Sequence, residues 1–279
     1  MQMQTKEHRL QDYILGHTSV EYQRLRQQAL AWEQVTRRVL QANGLQANMR
    51  CLDIGCGPGE VMRLMGEIVG PSGQVTGVDI DGKLGRETLG VLQATTPSNF
   101  SFLEADVEGV DEIADQPFDV TFARIVFIHL KDPLAMLRKL YKWTKPGGVM
   151  IVQDYDFRSV DIFPRFPTYP EFENVLHGVF AKAGRDIQIG YKMPAHFVAA
   201  GVGQPNGSDV ASILEPLPQA ATMIQSIYQN LLPHALQLGL TTTTASQAFL
   251  AEFNQAVNGS SYHSAMWPLL ISTWKHKPV

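Results

Sequence analysis

Short apolar runs alternate with segments of helical periodicity through the first half of the chain. Amphipathic patterns lie between the runs, and one of them follows Asp132-Pro133. An aspartate before a proline favours the start of a helix, because the carboxylate caps free amide groups and proline fits the first turn. The runs predict strands at Cys51–Ile54, Gln74–Ile80, Phe100–Asp106, Pro117–Arg124 and Val149–Val152. Strands that alternate with helices predict an α/β fold with a parallel sheet.

The pattern is less regular at the two ends of the chain. A capping box of Thr18 and Glu21 predicts an N-terminal helix that ends at Asn43-Gly44. Later segments predict helices at 170–183, from Pro194 to Gly201, at 218–239 with an interruption at Pro233, and at 244–258, and strands at Val202–Leu214 and Ser264–Trp274. We therefore expect cap helices in residues 1–46 and one α/β domain in residues 47–279, with a helical insertion at about 215–258.

The loop after the first strand carries glycine at every other position, at Gly55, Gly57 and Gly59. Such a loop turns sharply and lets a flat ligand approach bare backbone. The spacing departs from the dinucleotide fingerprint G-x-G-x-x-G, because Glu60 occupies its last position. A carboxylate there opposes a pyrophosphate at the helix N-terminus but suits a ligand with an ammonium and a sulfonium. The alternative is a glycine-rich turn that holds no ligand.

Acidic side chains stand at the ends of the next two strands. Asp79 lies about 20 residues beyond the glycine loop, where a carboxylate can accept hydrogen bonds from both hydroxyls of a ribose. The neighbouring Asp81 could instead cap the next helix. Asp106 ends the third run, where its carboxylate can accept from the exocyclic amine of adenine; the alternative is a cap for a helix or turn.

Together these segments resemble the class I S-adenosylmethionine-dependent methyltransferases along nearly the whole chain. The resemblance rests on Leu52–Gly59, Asp79, Ala105-Asp106, Phe118-Asp119 and Lys145–Gly148, in this order. It implies a Rossmann-like, seven-stranded, mostly parallel sheet with an antiparallel last strand, and S-adenosylmethionine as the cofactor. The N-terminal segment, with Tyr13–Thr18, Glu21 and Arg24-Leu25, also resembles a bacterial small-molecule branch of natural-product type.

The family resemblance also implies roles for individual residues. Asp53 would order the glycine loop, Asp79 would hold the ribose, and Asp106 would meet the adenine amine. The other cofactor-binding residues that we expect are Tyr13, Gln28, Gly55, Cys56, Gly57, Ile80, Ala105, Val107, Ala123, Arg124 and His129. In metal-dependent relatives an acid at the end of the fourth strand binds magnesium, whereas this chain has Arg124 there. Because a hard divalent ion needs oxygen ligands, the sequence predicts no metal site.

The composition of the chain limits the kinds of molecule that this protein is expected to bind. The formal net charge is −4, which argues against a large phosphate-binding surface and therefore against nucleic acid. Two cysteines in 279 residues indicate neither a disulfide framework nor a zinc site. No apolar run approaches the length of a membrane span, and the first residues lack the apolar region of a signal peptide. We expect a cytoplasmic protein that binds a small molecule and is compatible with a homo-oligomer.

Methyl transfer from a sulfonium is an in-line displacement in which the protein mainly positions two reactants. An oxygen or nitrogen acceptor also calls for a base. The candidate catalytic side chains are His129, Tyr13 and Tyr22; a buried structural histidine is the alternative for His129. A base is not identified by the sequence alone, and a carbon acceptor needs little help from one.

The acceptor that we expect is a small, partly apolar or aromatic molecule. The N-terminal segment and the aromatic region from Phe157 to Phe180 could roof the crevice above the cofactor. The alternative for the N-terminal helix is a structural cover on one edge of the sheet. Two rival functions use the same scaffold: aminopropyl transfer from a decarboxylated cofactor, and cofactor binding without catalysis.

Overall fold

The computed structural model describes residues 19–114 and 116–279. The helices are α1 (Ser19–Ala31), α2 (Glu33–Ala42), α3 (Glu60–Val69), α4 (Gly82–Thr95), α5 (Pro133–Trp143), α6 (Tyr169–Lys182), α7 (Ile189–Ala199), α8 (Leu217–Gln237) and α9 (Thr243–Asn258). The strands are β1 (Arg50–Ile54), β2 (Gln74–Asp79), β3 (Asn99–Glu104), β4 (Phe118–Arg124), β5 (Thr144–Asp156), β6 (Asp161–Phe163), β7 (Gly207–Ala211), β8 (Leu214–Pro216), β9 (Ser264–Met266) and β10 (Leu269–His276). Short 3₁₀ turns follow β4 at Phe127–His129 and β5 at Phe157–Ser159.

The larger of two compact units contains residues 25–155, 189–211 and 270–279. Its seven-stranded sheet has the order β3-β2-β1-β4-β5-β10-β7. The pairs from β3 to β5 are parallel, and β10 pairs with β7 in the antiparallel sense. Buried side chains from β1, β2 and α3 form a core against one face of this sheet. The predicted Rossmann-like fold, with a mostly parallel sheet of seven strands, is confirmed.

The described part of the smaller unit contains residues 19–24, 156–188 and 212–269. A three-stranded antiparallel sheet of order β6-β9-β8 accompanies helices α6, α8 and α9. Its core is aromatic and consists of Phe166, Tyr169, Phe172, Tyr228, Phe249 and Phe253. Two aromatic residues assigned to a roof from the sequence, Phe166 and Tyr169, are therefore core residues of this unit.

The N-terminal helix is two helices rather than the single one predicted. The chain leaves helical geometry at Trp32, where ψ is 4°, and α2 begins at the next residue. Trp32 is fully buried, so the break places a large side chain in the core. The predicted stop at Asn43-Gly44 is confirmed, with Gly44 at a φ of 87°. Thr18 and the side chain of Glu21, which were expected to form a capping box, lie outside the described residues.

Strand β5 is much longer than the predicted Val149–Val152. The segment Lys145–Gly148 is a bulge inside the strand, because Phe118 pairs with Thr144 while Val120 pairs with Val149. Gly147 has a φ of 75°, which glycine adopts without strain. The bulge is bonded to the end of the chain, since Gly147 N–H donates to the Lys277 carbonyl over 2.9 Å.

Each of the two late strands predicted from the sequence is divided between the two sheets. The predicted Val202–Leu214 becomes β7 and β8, and the predicted Ser264–Trp274 becomes β9 and β10. Between β9 and β10, Trp267 N–H donates to the Ile213 carbonyl over 2.9 Å, and Pro268 has no N–H to donate. Pro268 thus separates the hydrogen-bonded pairs of β9 from those of β10, although the apolar pattern predicted one continuous strand.

Two prolines lie inside helices where the sequence indicated a start or an interruption. Helix α7 begins at Ile189 and continues through Pro194, and α8 continues through Pro233. Met193 and Leu231, one and two residues before these prolines, are buried, so tertiary packing offsets the loss of one backbone hydrogen bond. The predicted helical insertion corresponds to α8 and α9, which lie between β8 and β9 along the chain.

Both cysteines are free thiols within the core of the larger unit. Cys51 is fully buried in β1, and Cys56 is 6% exposed in the loop that follows. Burial raises the pKa of both thiols well above the ordinary value, and nearby carboxylates such as Asp53 raise it further. Both side chains therefore stay protonated at neutral pH.

Gly190 at the start of α7 tests how closely this helix packs on β5. A Cβ at this position would lie 2.3 Å from the Asp154 carbonyl oxygen, which is backbone and cannot move aside. We expect Gly190→Ala to lower the free energy of unfolding by about 1–3 kcal/mol. Urea denaturation followed by circular dichroism measures this change.

Gly90 provides the matched control, because it is also helical but has no atom within 4 Å of an added Cβ. Gly90→Ala should raise the free energy of unfolding by up to about 1 kcal/mol, since alanine has the higher helix propensity. Equal effects of the two substitutions would contradict the packing of α7 on β5.

Candidate active site

The parallel strands of the large sheet end together at one edge. Register aligns Leu103, Val78, Ile54, Ala123 and Val152 on neighbouring strands. The next residue on each strand therefore stands at the carboxyl edge of the sheet; these residues are Glu104, Asp79, Gly55, Arg124 and Gln153. The order of strands reverses at β1, whose neighbours are β2 and β4. Ligands of open α/β sheets bind at such a reversal, outside the carboxyl ends of the strands.

The glycine loop combines close packing with one open position. All three glycines have positive φ, of 61° at Gly55, 46° at Gly57 and 76° at Gly59. A Cβ at Gly55 would lie 2.4 Å from Val126 Cγ2, whereas a Cβ at Gly57 would have no atom within 4 Å. The loop thus presents bare backbone to open space at Gly57, and that is the position at which a ligand can approach it.

Asp79 and Asp81 take different positions at the end of β2. Asp79 accepts the Gly57 N–H at Oδ2 over 2.8 Å and the Asp81 N–H at Oδ1 over 2.9 Å. Asp81 accepts the Leu84 N–H over 3.0 Å and caps α4. Asp79 is therefore the carboxylate at the glycine loop, whereas Asp81 is the helix cap. The sequence resemblance gave Asp53 the role of ordering this loop, whereas the hydrogen bond to Gly57 comes from Asp79.

Asp53 is a buried carboxyl group in β1 with one oxygen that lacks a hydrogen-bond partner among the described residues. Only 1% of Asp53 is exposed, and Oδ2 is the unpartnered atom. Burial raises the pKa of Asp53 to about 8, while the Arg124 cation opposes this rise and the Asp79 carboxylate adds to it. Burial likewise lowers the pKa of Arg124, and Asp53 counteracts that shift. The side chains of Asp53 and Arg124 are therefore close enough for each to influence the ionisation of the other.

A second buried carboxyl group holds the loop that follows β4. Asp154 Oδ2 accepts the N–H groups of Phe127 and Ile128 over 2.7 and 3.3 Å, and Oδ1 accepts the Tyr155 N–H over 2.8 Å. Burial raises the pKa of Asp154 to about 7, although these backbone N–H groups favour the ionised form. The loop begins with Ile125 at a φ of 57°, which is strained for a β-branched residue.

Helix α1 is joined to the end of β5 through one phenol oxygen. Gln28 Nε2 and Trp32 Nε1 donate to Tyr155 Oη over 2.7 and 2.6 Å. All three side chains are at most 7% exposed. Gln28, assigned to the cofactor from the sequence, thus lies at the carboxyl end of β5.

A buried chain of polar groups connects α2 with three strands. Arg124 Nη1 donates to Thr36 Oγ1 over 3.0 Å, and Thr36 Oγ1 donates to Gln153 Oε1 over 2.9 Å. Gln153 Nε2 in turn donates to Ser272 Oγ over 2.9 Å. This chain fixes the Arg124 side chain through partners that follow one another across the sheet.

The segment after β3 contains the predicted adenine site. Asp106 Oδ1 accepts the Glu108 N–H over 3.0 Å, so this carboxylate also stabilises a turn, which was the alternative role considered from the sequence. Val107 is 8% exposed, whereas Ala105 and Ile80 are half-buried. Asp106 lies two residues beyond the end of β3, because the strand ends at Glu104 rather than at Asp106.

The three candidate catalytic residues lie in different parts of the chain. His129 is half-buried and ends the 3₁₀ turn after β4. Tyr22 is half-buried on α1, and Tyr13 lies outside the described residues. Within the described residues, no three His, Cys, Asp or Glu side chains are grouped so that they could hold a metal ion.

Several polar residues at this edge were not predicted from the sequence. Thr36 and Ser272 join the polar chain around Gln153, and Trp32 donates to Tyr155. One signal was present: Gln28, Trp32 and Thr36 follow one another at intervals of four residues and carry polar atoms on a buried face.

No helix in the described parts of the chain is long and apolar enough to cross a bilayer.

Residues 45–182 match the family described as a methyltransferase domain. An uncharacterised methyltransferase of Schizosaccharomyces pombe is 31% identical over 169 residues, which are 55% of this chain and 58% of that protein. A ubiquinone/menaquinone biosynthesis C-methyltransferase of Pseudomonas paraeruginosa is 30% identical over 48% of this chain and 51% of its own length. The chain thus spans little more than half the length of these two curated relatives.

Among solved structures, a methyltransferase-like protein from Bacillus halodurans superposes with a TM-score of 0.60 at 15% identity. The superposition covers 88% of this chain and 99% of that one, which shows a shared fold. The match shows a methyltransferase domain at residues 45–182, and the glycine loop, the strand order and the relatives support the class I S-adenosylmethionine-dependent methyltransferase family. Its cofactor is S-adenosylmethionine.

The carboxyl edge of the sheet has the chemistry that this cofactor needs. Asp53 offers a buried carboxyl oxygen without a partner among the described residues, and a polar group of a ligand can supply the missing hydrogen bond. Gly57 offers backbone with open space in front of it. The residues present therefore fit the cofactor.

The raised pKa of Asp53 predicts a pH dependence of stability. Asp53 ionises near 3.8 in the unfolded chain but keeps its proton up to about pH 8 in the folded chain. Between these values the folded state binds more protons, so the free energy of unfolding falls as the pH rises, by up to about 1.4 kcal/mol per pH unit. Asp53→Asn cannot ionise, so its unfolding free energy should fall less steeply.

Urea denaturation of both proteins between about pH 5 and about pH 7 measures the difference in slope. Asp154 contributes in the same direction to both proteins, so its effect cancels in the comparison. Parallel pH profiles would contradict the assignment of a neutral, buried Asp53.

Proposed function

We propose that this protein transfers the methyl group of S-adenosylmethionine to a small, partly apolar or aromatic molecule by in-line displacement. The observation that carries the proposal is the buried, unpartnered oxygen of Asp53 beside a glycine loop whose backbone is open at Gly57. Both features stand at the reversal of strand order, where ligands of this fold class bind. The rival functions on this scaffold are aminopropyl transfer and cofactor binding without catalysis.

The residues at the carboxyl edge suggest how the cofactor is held. Asp79 would accept hydrogen bonds from the ribose, and Asp106 from the adenine amine, with Ile80 and Val107 on the two faces of the ring. The backbone of the glycine loop and of Ala123-Arg124 would lie near the amino-acid end. Support comes from the placement of these residues after the aligned ends of β1, β2 and β4 and in the turn after β3.

The cofactor supplies an activated methyl group, so the work of the protein is to orient the reactants and exclude water. Asp154 contributes by fixing the loop after β4 through the Phe127 and Ile128 amides. Tyr155, Gln28 and Trp32 fix the end of β5 against α1. His129, at the end of the loop that Asp154 fixes, is the candidate to accept a proton from an oxygen or nitrogen acceptor.

The side chains around the ends of β4 and β5 support this acceptor class. Val126, Tyr155 and Trp32 are apolar or aromatic, and Gln28 and Arg124 add a few polar atoms. Pockets for small ligands have this mixture of apolar lining and a few orienting groups. The Pseudomonas relative is named as a C-methyltransferase of ubiquinone/menaquinone biosynthesis, which supports a small-molecule acceptor for this chain as well.

Mass spectrometry of a metabolite extract incubated with protein and S-adenosylmethionine tests the function. We expect products that are heavier than their precursors by one methylene unit, together with S-adenosylhomocysteine. Asp79→Ala should suppress both, because loss of the hydrogen bonds from the ribose weakens cofactor binding by roughly 1–3 kcal/mol. Products heavier by an aminopropyl group would identify the first rival, and binding of cofactor without any product would identify the second.

Turnover should not require a divalent metal. Arg124 stands at the strand end where an acid would be needed, and its cation repels a metal ion. We therefore expect the same initial rate with EDTA as with added Mg²⁺ once an acceptor has been identified. Loss of activity in EDTA that Mg²⁺ restores would refute this prediction.

A further inference from the structure

Lys139 on α5 binds the backbone of the turn that follows Asp106. Its Nζ donates to the carbonyl oxygens of Val110, Glu108 and Val107 over 2.7, 2.9 and 3.4 Å. The side chain is only 18% exposed, and the nearest Asp111 carboxylate oxygen lies 3.4 Å from Nζ. An ammonium group has three N–H donors, so one side chain holds three carbonyl groups of one turn.

The turn binds α5 in return through Glu108. Glu108 Oε1 accepts the N–H groups of Lys131 and Asp132 over 2.9 and 3.0 Å, directly before α5 begins. A carboxylate at this end of a helix is also favoured by the helix dipole. Glu108 of the turn thus binds the backbone at the start of α5, and Lys139 of α5 binds the backbone of the turn.

The same turn orients the two residues that we assign to adenine. Asp106 Oδ1 accepts the Glu108 N–H over 3.0 Å, and the Asp106 carbonyl accepts the Gly109 N–H over 2.9 Å. Val107 lies between Asp106 and Glu108, and its carbonyl is one of those that face Lys139. The direction of the Asp106 carboxylate therefore depends on a backbone that Lys139 fixes from the other side.

We propose that Lys139 is a positioning residue for the adenine site and sets the preference for adenine over other purines. The proposal rests on the proposed function, in which Asp106 accepts the adenine amine. Lys139 acts through the backbone of residues 107–110 and does not touch the cofactor itself. Removal of the Lys139 ammonium group leaves three carbonyl groups of the turn without their shared donor. The Asp106 carboxylate then loses its fixed direction.

The test compares Lys139→Met with Lys142→Met. Methionine keeps an apolar stem of similar length and removes only the ammonium group. Lys142 lies on the same helix but is 62% exposed, and its Nζ lies 3.5 Å from the Asp111 carbonyl and 3.9 Å from a Glu112 carboxylate oxygen. It therefore controls for the loss of one positive charge from α5 near the same turn.

Two ligands separate positioning from general weakening. Calorimetry measures the Kd of S-adenosylhomocysteine and of its analogue in which a carbonyl oxygen replaces the adenine 6-amino group. The unmodified protein should prefer the adenine form, because a carboxylate accepts from an amine but repels a carbonyl oxygen. Lys139→Met should raise the Kd of S-adenosylhomocysteine about tenfold and that of the analogue by no more than about threefold. Lys142→Met should leave both values unchanged.

Two more variants keep the test independent of folding. Lys139→Arg retains a cation and should recover most of the preference, and Glu108→Ala should reduce the preference from the opposite side of the same contact. Thermal unfolding without ligand shows whether each variant is folded. Equal losses for both ligands in Lys139→Met, or no loss, would overturn the proposal. If the unmodified protein bound neither ligand, the proposed function itself would fail instead.

Discussion

The register of the parallel strands is the constraint on which the candidate site depends. Backbone hydrogen bonds align Leu103, Val78, Ile54, Ala123 and Val152 across five strands, so all five strands reach the same edge of the sheet. A shift of one residue in any strand would turn its terminal side chain to the opposite face. The acids and the glycine loop come together only because buried apolar residues behind them hold this alignment.

Loop packing at this edge involves two carboxyl groups with different environments. Asp154 meets backbone N–H groups on both of its oxygens, whereas Asp53 has one oxygen without a partner among the described residues. Burial raises the pKa of both groups, and the backbone hydrogen bonds of Asp154 oppose that rise. Asp154, with hydrogen bonds to both oxygens, stabilises the loop after β4. Asp53, with one oxygen that lacks a partner among the described residues, is suited to bind a ligand.

Local sequence predicted the alternating half of the fold well. The run at Cys51–Ile54 and the signals at Asp132-Pro133 and Asn43-Gly44 were confirmed because strand burial, caps and glycine stops act within a few residues. The predictions of strand and helix boundaries were wrong where contacts with residues distant in sequence determine the structure. Periodicity could not show that Pro268 separates two sheets or that α7 and α8 continue through proline.

The candidate site shows the same division between local and distant information. Glycine spacing and terminal acids could be read from the sequence, because each motif is local. The bond from Trp32 to Tyr155 joins residues 123 positions apart, and the contact between Lys139 and Val107 spans 32 positions. Such contacts depend on where α2, α5 and the loops pack, which no local pattern specifies.

The burial of both cysteines has a practical consequence for spectroscopy. Cys51 and Cys56 are the only cysteines in the sequence, and each is held as a protonated thiol inside the sheet core. A thiolate is the nucleophile that attacks an alkylating reagent, so neither native side chain will compete with a thiol placed on the surface. The two native cysteines therefore do not react with maleimide dyes or spin labels. A single introduced cysteine can be labelled to report local motion without removal of the native pair.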